Sequence, residues 1–330
     1  MNQQIKTQRY SSLDVLKFFA AFGVVCIHYA PEWLNPIVRC SVPFFFLVTG
    51  FYYSTMVESG KFWHQIKKLF IMLVCSSLLY ALWHLQVEFR HHTLQKWLHT
   101  TFSQEHIENL VFYGEDLFSS HLWYFYSIIY TMLVLYIADK FKFAKLLRMA
   151  LPLLLLIFYI GNYIDCSHFV FRNFLFMGIP CVLIGCSIRE NRVSLFAKLS
   201  NHKYVWLIML LFLAMTIAEM FVIKSLHYDK QVDMYIFTLA LVVTIFYFAI
   251  NHPNFGHDSI LSTIGRKYTA YIYIFHIIAE NIFGHFVNRT TILGAIIYPF
   301  AVFILTLLIS YCYVKTKSIF KEFCFLHAKQ

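Results

Sequence analysis

Lys17 and His28 stand eleven residues apart inside the first long apolar run, LDVLKFFAAFGVVCIHYA. At roughly 100° per residue, eleven steps return to within about 20° of the starting direction. An ammonium and an imidazole therefore share one stripe of a helix, about 16 Å apart along its axis. Asp14 lies within about 60° of Lys17 on the same side. A histidine at neutral pH can take the proton of a hydroxyl as that hydroxyl attacks a thioester. A cation further along the stripe suits binding or polarising an anion. Ionisable groups at membrane depth cost kilocalories and mark a reaction or transport path where they face a bundle interior. The plain alternative is that Lys17 snorkels to the headgroups and His28 ends its helix at the far interface.

Other ionisable groups recur at similar depth. His121 opens the run HLWYFYSIIY, and His276 sits in YIYIFHIIAEN with Glu280 one turn later on the same side of that helix. Glu219 lies near the outer end of a seventh run. With His28 they make five such side chains, more than packing needs, and they are read as walls of one cavity; a capped helix end or a satisfied core histidine is the alternative for any one of them. On the opposite side, Lys67 and Lys68 head a third apolar run, with Lys61 one loop away. Ammonium groups clustered at a cytoplasmic helix start can hold an anionic headgroup or the phosphates of a nucleotide-like molecule, or serve only as a topology signal.

The elements that must position these groups are apolar helices. The chain has 330 residues, 59% hydrophobic and 13% charged, with a mean hydropathy of +0.62. Soluble proteins carry about 25% charged residues. Stretches long enough to span recur from end to end, which leaves no room for a soluble enzyme domain and defines an all-α, polytopic integral membrane bundle folded as one domain over residues 1–330. Ten spans are expected, at about 13–31, 37–57, 66–86, 121–138, 146–162, 168–188, 204–223, 233–250, 264–284 and 292–314. With the N-terminus inside, cytoplasmic segments hold twenty of the 27 Lys and Arg and outer segments seven, so both termini are expected in the cytoplasm. A formal charge of +10 distributed in this way signals topology, not nucleic-acid binding. The first run carries Asp14 and Lys17 and has no A-x-A-like end, so it is expected to be retained as a helix.

The longest loop, about 87–120, is expected outside, with a short amphipathic helix presenting Leu94, Trp97, Leu98 and Phe102. His91, His92, His99 and His106 match no metal-ligand spacing, and no metal site is expected. A cytoplasmic tail is expected over about 315–330. Cys26, Cys75, Cys181, Cys186 and Cys312 fall in apolar runs as small core residues. Cys40 and Cys166 fall in outer loops, where a disulfide between them is an open alternative. No internal repeat of fixed period is present, so nothing supports a transporter of the inverted-repeat kind.

Five segments taken in order resemble the acyltransferase-3 family of membrane acyltransferases. SLDVLKFFAAFGVVCIHYA resembles its opening helix, which has Leu-Asp, a basic residue, ten residues and a histidine. VPFFFLVTGFYYS, HLWYFYSIIY, RNFLFMGIPCVLIG and IGRKYTAYIYIFH resemble its second-span, His-Leu-Trp, sixth-span and late Tyr-x-x-x-His helices. The resemblance implies transfer of an acyl group, often acetyl, from cytoplasmic acyl-coenzyme A to hydroxyls or amines of envelope glycans or lipid-linked precursors. It implies a bacterial cell membrane, and no permanently bound cofactor is expected. The catalytic histidine of the family corresponds to His28, its first-helix arginine to Lys17, and its coenzyme A-linked basic cluster to Lys67 and Lys68. Its second-span serine corresponds to Thr49, before Gly50. His121, Trp123, His276 and Glu280 are then expected to contact substrate. Lysine does not reproduce the planar fork of arginine, and these exchanges bring the chain closer to a branch resembling the membrane domain of serine-racemase resistance proteins. For that branch a role in moving or supplying D-serine is implied. The acceptor and the oligomeric state are left open.

Overall fold

A computed structural model describes residues 9–29, 31–164, 171–191, 202–226, 232–284 and 291–327. All regular structure among the described residues is helical. In chain order the helices are α1 (Ser11–Tyr29), α2 (Asn35–Val38), α3 (Ser41–Glu58), α4 (Phe62–Arg90), α5 (Leu94–Thr101), α6 (Gln104–Tyr113), α7 (Trp123–Lys140) and α8 (Ala144–Tyr163). There follow α9 (Ile179–Glu190), α10 (His202–Ser225), α11 (Thr238–Asn251), α12 (Ile260–Lys267), α13 (Thr269–Phe283) and α14 (Ile292–His327). Seven helical segments among the described residues are long and apolar enough to cross a bilayer, and α11 and α13 are shorter apolar helices.

The structure departs from the expected spans and tail at four places. The span expected at 233–250 begins only at Thr238, because Asp233 is held in an ion pair with Arg172 and its backbone amide donates to Asn162 Oδ1. The span expected at 264–284 is two helices that part at Tyr268. The first of them, α12, is amphipathic and leaves Arg266 and Lys267 exposed, as helices lying at an interface do. The expected tail after 314 is no tail in its first part: α14 runs on as helix to His327. The span expected at 168–188 begins outside the described residues; from Phe174 to Gly178 it is a π-turn whose start is capped by the Asn173 side chain, which accepts from the amides of Leu175 and Phe176.

Two compact units divide the chain. The first comprises residues up to Phe45, Lys203–His227 and Phe237 onward. Its core joins Ala21 and Val25 of α1 to Ile272 and Ala279 of α13 and to Tyr298, Val302 and Phe303 of α14. Phe18 and Phe22 of α1 meet Phe303 edge-on, at ring-centroid separations of 5.5 and 5.1 Å. Helix α12 crosses α1 backbone against backbone: a Cβ at Gly265 would lie 1.8 Å from the Asp14 carbonyl oxygen.

The second unit comprises Phe46–His202 and Tyr228–Ile236. Helices α3 and α9 approach at two glycines, since a Cβ at Gly50 would lie 2.0 Å from the Val182 carbonyl oxygen and one at Gly185 would lie 2.3 Å from that of Leu47. Small residues permit this approach where lipid offers no hydrophobic drive between helices. The expected outer loop is largely helical, since α4 continues to Arg90 and α5 and α6 follow. Its return to the bundle is pinned by Asp116. That buried carboxylate accepts from Ser77 Oγ at 2.7 Å, Tyr126 Oη at 3.1 Å and the amides of Phe118 and Ser119 at 2.9 and 3.0 Å. Asp116→Ala strands four donors, and each buried unmet donor costs about 1–3 kcal/mol. The expected result is faster protease nicking of residues 94–119 with the spans intact; unchanged digestion kinetics would refute the pinning.

Two smaller expectations change. Cys75 and Cys312 are exposed rather than core residues. Cys40 is a buried free thiol whose sulfur lies 3.6 Å from the Pro36 carbonyl oxygen, and Cys166 lies outside the described residues.

Candidate functional site

In the first unit, α1 is anchored at its start by the Ser11 amide and the Ser12 hydroxyl, which donate to the carbonyls of Pro253 and Ala249. Asp14 is buried and takes two cations, Arg9 Nε at 3.2 Å and Lys17 Nζ at 3.1 Å. Lys17 is therefore ion-paired one turn from its own carboxylate. Two cations against one carboxylate leave the cluster at one net positive charge. The stripe from Lys17 towards His28 passes through Ala21 and Val25, which are buried among apolar side chains of α13 and α14. Along this face of α1 the structure has a dry core, not a wet passage.

That same packing delivers His28. The face that buries Ala21 and Val25 carries His28 one turn on, in the last turn of α1, where its ring centroid lies 5.4 Å from that of His276. His28 is exposed and His276 is fully buried. The Nδ1 of His276 lies 2.7 Å from the Tyr273 carbonyl oxygen. A carbonyl only accepts, so this nitrogen carries the proton and Nε2 presents the lone pair. Glu280 is half-buried one turn further along α13, and its backbone carbonyl accepts from Tyr298 Oη at 3.4 Å. Glu219, read from the sequence as a cavity wall, uses Oε2 to accept from the Phe237 amide at 3.3 Å, capping the approach to α11.

The second unit holds the remaining expected residues. Lys67 and Lys68 are exposed in the first turns of α4. That helix start is fixed by Phe62, which stacks on Tyr136 at 4.5 Å and 15°. His121 is buried in a 3-10 turn before α7, edge-on to Tyr80 at 4.9 Å, with Nδ1 2.6 Å from Ser119 Oγ. Trp123 is the first residue of α7, and its ring lies 6.3 Å from that of Phe46. Thr49 hydrogen-bonds Tyr124. Thus His28 and His276 meet in one unit, whereas Lys67, Lys68, His121 and Trp123 belong to the other.

Sequence reasoning missed a polar cavity of about 220 Å³ in the second unit, where α3, α7, α8 and α9 end or begin. In it Tyr53 donates to Asp139 at 2.8 Å, and Arg148 grips Glu190 with both terminal nitrogens, at 2.7 and 2.5 Å. Arg148 had been counted only as a topology charge, and no motif links it to a carboxylate 42 residues away. Also unforeseen is an apolar cavity of about 230 Å³ in the first unit, beside Gly23 and Cys26 of α1 and lined on another side by Val242 and Ile245 of α11. Nearer the outer loop, burial pushes the Glu115 carboxyl above its ordinary range, against the pull of His106 and Arg172. Among the described residues no group of three His, Cys, Asp or Glu is arranged to hold a metal ion.

The architecture is that of a polytopic membrane helical bundle. The acyltransferase-3 family model, an acyltransferase domain, matches residues 10–315, and the chain belongs to that family. Comparison with curated proteins and with solved structures finds no match.

Proposed function

We propose that this membrane acyltransferase moves an acyl group, acetyl in the simplest case, from cytoplasmic acyl-coenzyme A to a hydroxyl of a cell-envelope polysaccharide or its lipid-linked precursor, in a bacterial plasma membrane. The observation that carries this reading is the His28–His276 pair, an exposed imidazole set against a buried one whose tautomer is fixed by a carbonyl. His28 is the general base: it removes the acceptor hydroxyl's proton as the oxygen attacks the acyl carbon. His276, with Glu280 one turn away, orients the acceptor. Lys67 and Lys68 attract the donor's phosphates, and the net positive Arg9–Asp14–Lys17 cluster offers a further cation to the anionic donor. His121 and Trp123 contact the substrate from their own unit. An acceptor on a lipid carrier brings hydrocarbon, which suits the apolar cavity beside Gly23.

The test is transfer of labelled acetyl from acetyl-coenzyme A to envelope glycan by purified protein in lipid, together with thermal protection by the donor. Binding at 100 times Kd stabilises by about 2.7 kcal/mol. Acetyl-coenzyme A that neither protects nor is cleaved would overturn the reading, and uptake of labelled D-serine without thioester cleavage would replace it with transport. Lys67→Ala/Lys68→Ala is expected to raise KM for the donor about tenfold with little change in kcat, as loss of uniform binding does. An unchanged KM would remove these lysines from the donor site.

A further inference from the structure

Ser119 and His121 form a hydroxyl–imidazole pair that the reading above uses only as a substrate contact. The oxygen lies 2.6 Å from Nδ1, within the reach required of a nucleophile and its base. A second serine in the outer segment shows what a structural version looks like. Ser103 lies 2.8 Å from His106 Nδ1, but its oxygen also accepts the His106 amide and caps α6. Ser119 precedes a 3-10 turn and makes no such cap. Four of the buried serines, Ser12, Ser76, Ser262 and Ser310, give their hydroxyls to backbone carbonyls. The Ser119 oxygen faces an imidazole nitrogen instead.

The frame around the pair is rigid. The Ser119 amide is held by buried Asp116, which is tied to α4 through Ser77 and to α7 through Tyr126. The His121 ring is buried edge-on to Tyr80. Ser119 itself is half-buried. A nucleophile, its base and a carboxylate-anchored backbone are thus held in register before any substrate arrives.

We propose that Ser119 is an acyl-accepting nucleophile activated by His121, carrying the acyl group as a serine ester between donor and acceptor. The identity of the donor rests on the thioester reading given above. In the first half-reaction the Oγ–acyl bond forms as the carbon–sulfur bond breaks. The hydroxyl proton passes to His121 Nδ1 and from there to the departing thiolate, giving the free thiol. In the second, the acceptor alcohol gives its proton to the general base proposed above as it attacks the ester carbon. Ser119 departs as the alkoxide and recovers that proton. No oxidant, reductant or metal enters either half.

Two probes separate the nucleophile from the donor. A fluorophosphonate, which reports an activated serine without reference to any thioester, is expected to modify Ser119 in the full-length protein in lipid. Acetyl-coenzyme A, given without acceptor, is expected to add one acetyl group to the same peptide and to exchange label with free coenzyme A. Ser119→Ala should abolish both adducts and lower transfer about 10²-fold or more, whereas Ser103→Ala leaves both unchanged. Ser119→Cys should trap the acyl group as a hydroxylamine-labile thioester. A fluorophosphonate adduct on Ser119 without an acetyl adduct keeps the nucleophile and overturns the coenzyme A donor. Wild-type transfer by Ser119→Ala, or no fluorophosphonate adduct on Ser119, overturns the nucleophile itself.

Discussion

His28→Ala is expected to give a folded, membrane-inserted protein whose acyl transfer falls by about 10²–10⁴-fold, the span typical for loss of a general base. Folding is spared because α1 is held elsewhere: Ala21 and Val25 bury against α13 and α14, and the Ser11 and Ser12 donors fix the first turn. His28 itself is exposed at the helix end. The loss should appear in kcat rather than in KM for the donor, because the proton leaves the acceptor only as the new bond forms. His276→Ala should cost less than His28→Ala, since in this mechanism it orients and takes no proton. Donor-dependent transfer at the wild-type rate by His28→Ala would end the general-base assignment.

Gly265→Val is expected to have the largest effect on stability. Its first added carbon alone would sit 1.8 Å from the Asp14 carbonyl oxygen and 2.9 Å from the Phe18 amide nitrogen, both backbone atoms of α1 that no rotamer change can move. Helix α12 must therefore withdraw. Overpacking of this kind commonly costs about 1–3 kcal/mol, and here the displaced segment also borders the buried Asp14 pairing. The expected readouts are a lower unfolding temperature in detergent and reduced yield in the membrane. Gly60→Val, at a glycine with open space around its Cβ direction but a left-handed φ of 68°, isolates backbone strain from collision. Equal losses in the two variants would show that the close crossing at Gly265 carries no special weight.

Much of the architecture was legible because a bilayer imposes strong rules. Apolar run length located most helices, and the meeting of Asp14 with Lys17 followed from three residues of helical spacing. His28 and His276 are read as walls of one cavity because isolated polar groups at depth are costly; their rings stand 5.4 Å apart, His276 buried and His28 exposed. What failed needed partners distant in sequence. A stripe joining Lys17 to His28 looks open until α13 and α14, some 250 residues later, fill it with Ile272, Tyr298 and Val302. Glu219 lies within a span as expected, but its backbone partner, the Phe237 amide 18 residues on, is not legible in the sequence. The run IGRKYTAYIYIFH reads as one span because nothing local marks Tyr268 as a break, where the chain trades one long helix for an amphipathic and an apolar one. Ser119 carries no motif of its own in the sequence; only the fold of the turn brings its oxygen to His121 Nδ1.

The order in which the first unit acquires its parts has a consequence for biogenesis. Helix α1 leaves the ribosome first, yet the glycine that abuts it is Gly265 and the rings that cover its face belong to α14. At about 5–20 residues per second, α1 waits roughly 12–50 s for α12 to be synthesised. Throughout that interval Asp14 has only Arg9 and Lys17 to answer its charge. Those two cations, close to the acid in sequence, are in place before any later helix and remain its partners in the finished fold, and nascent chains cut short before α12 should be prime targets for membrane proteolysis.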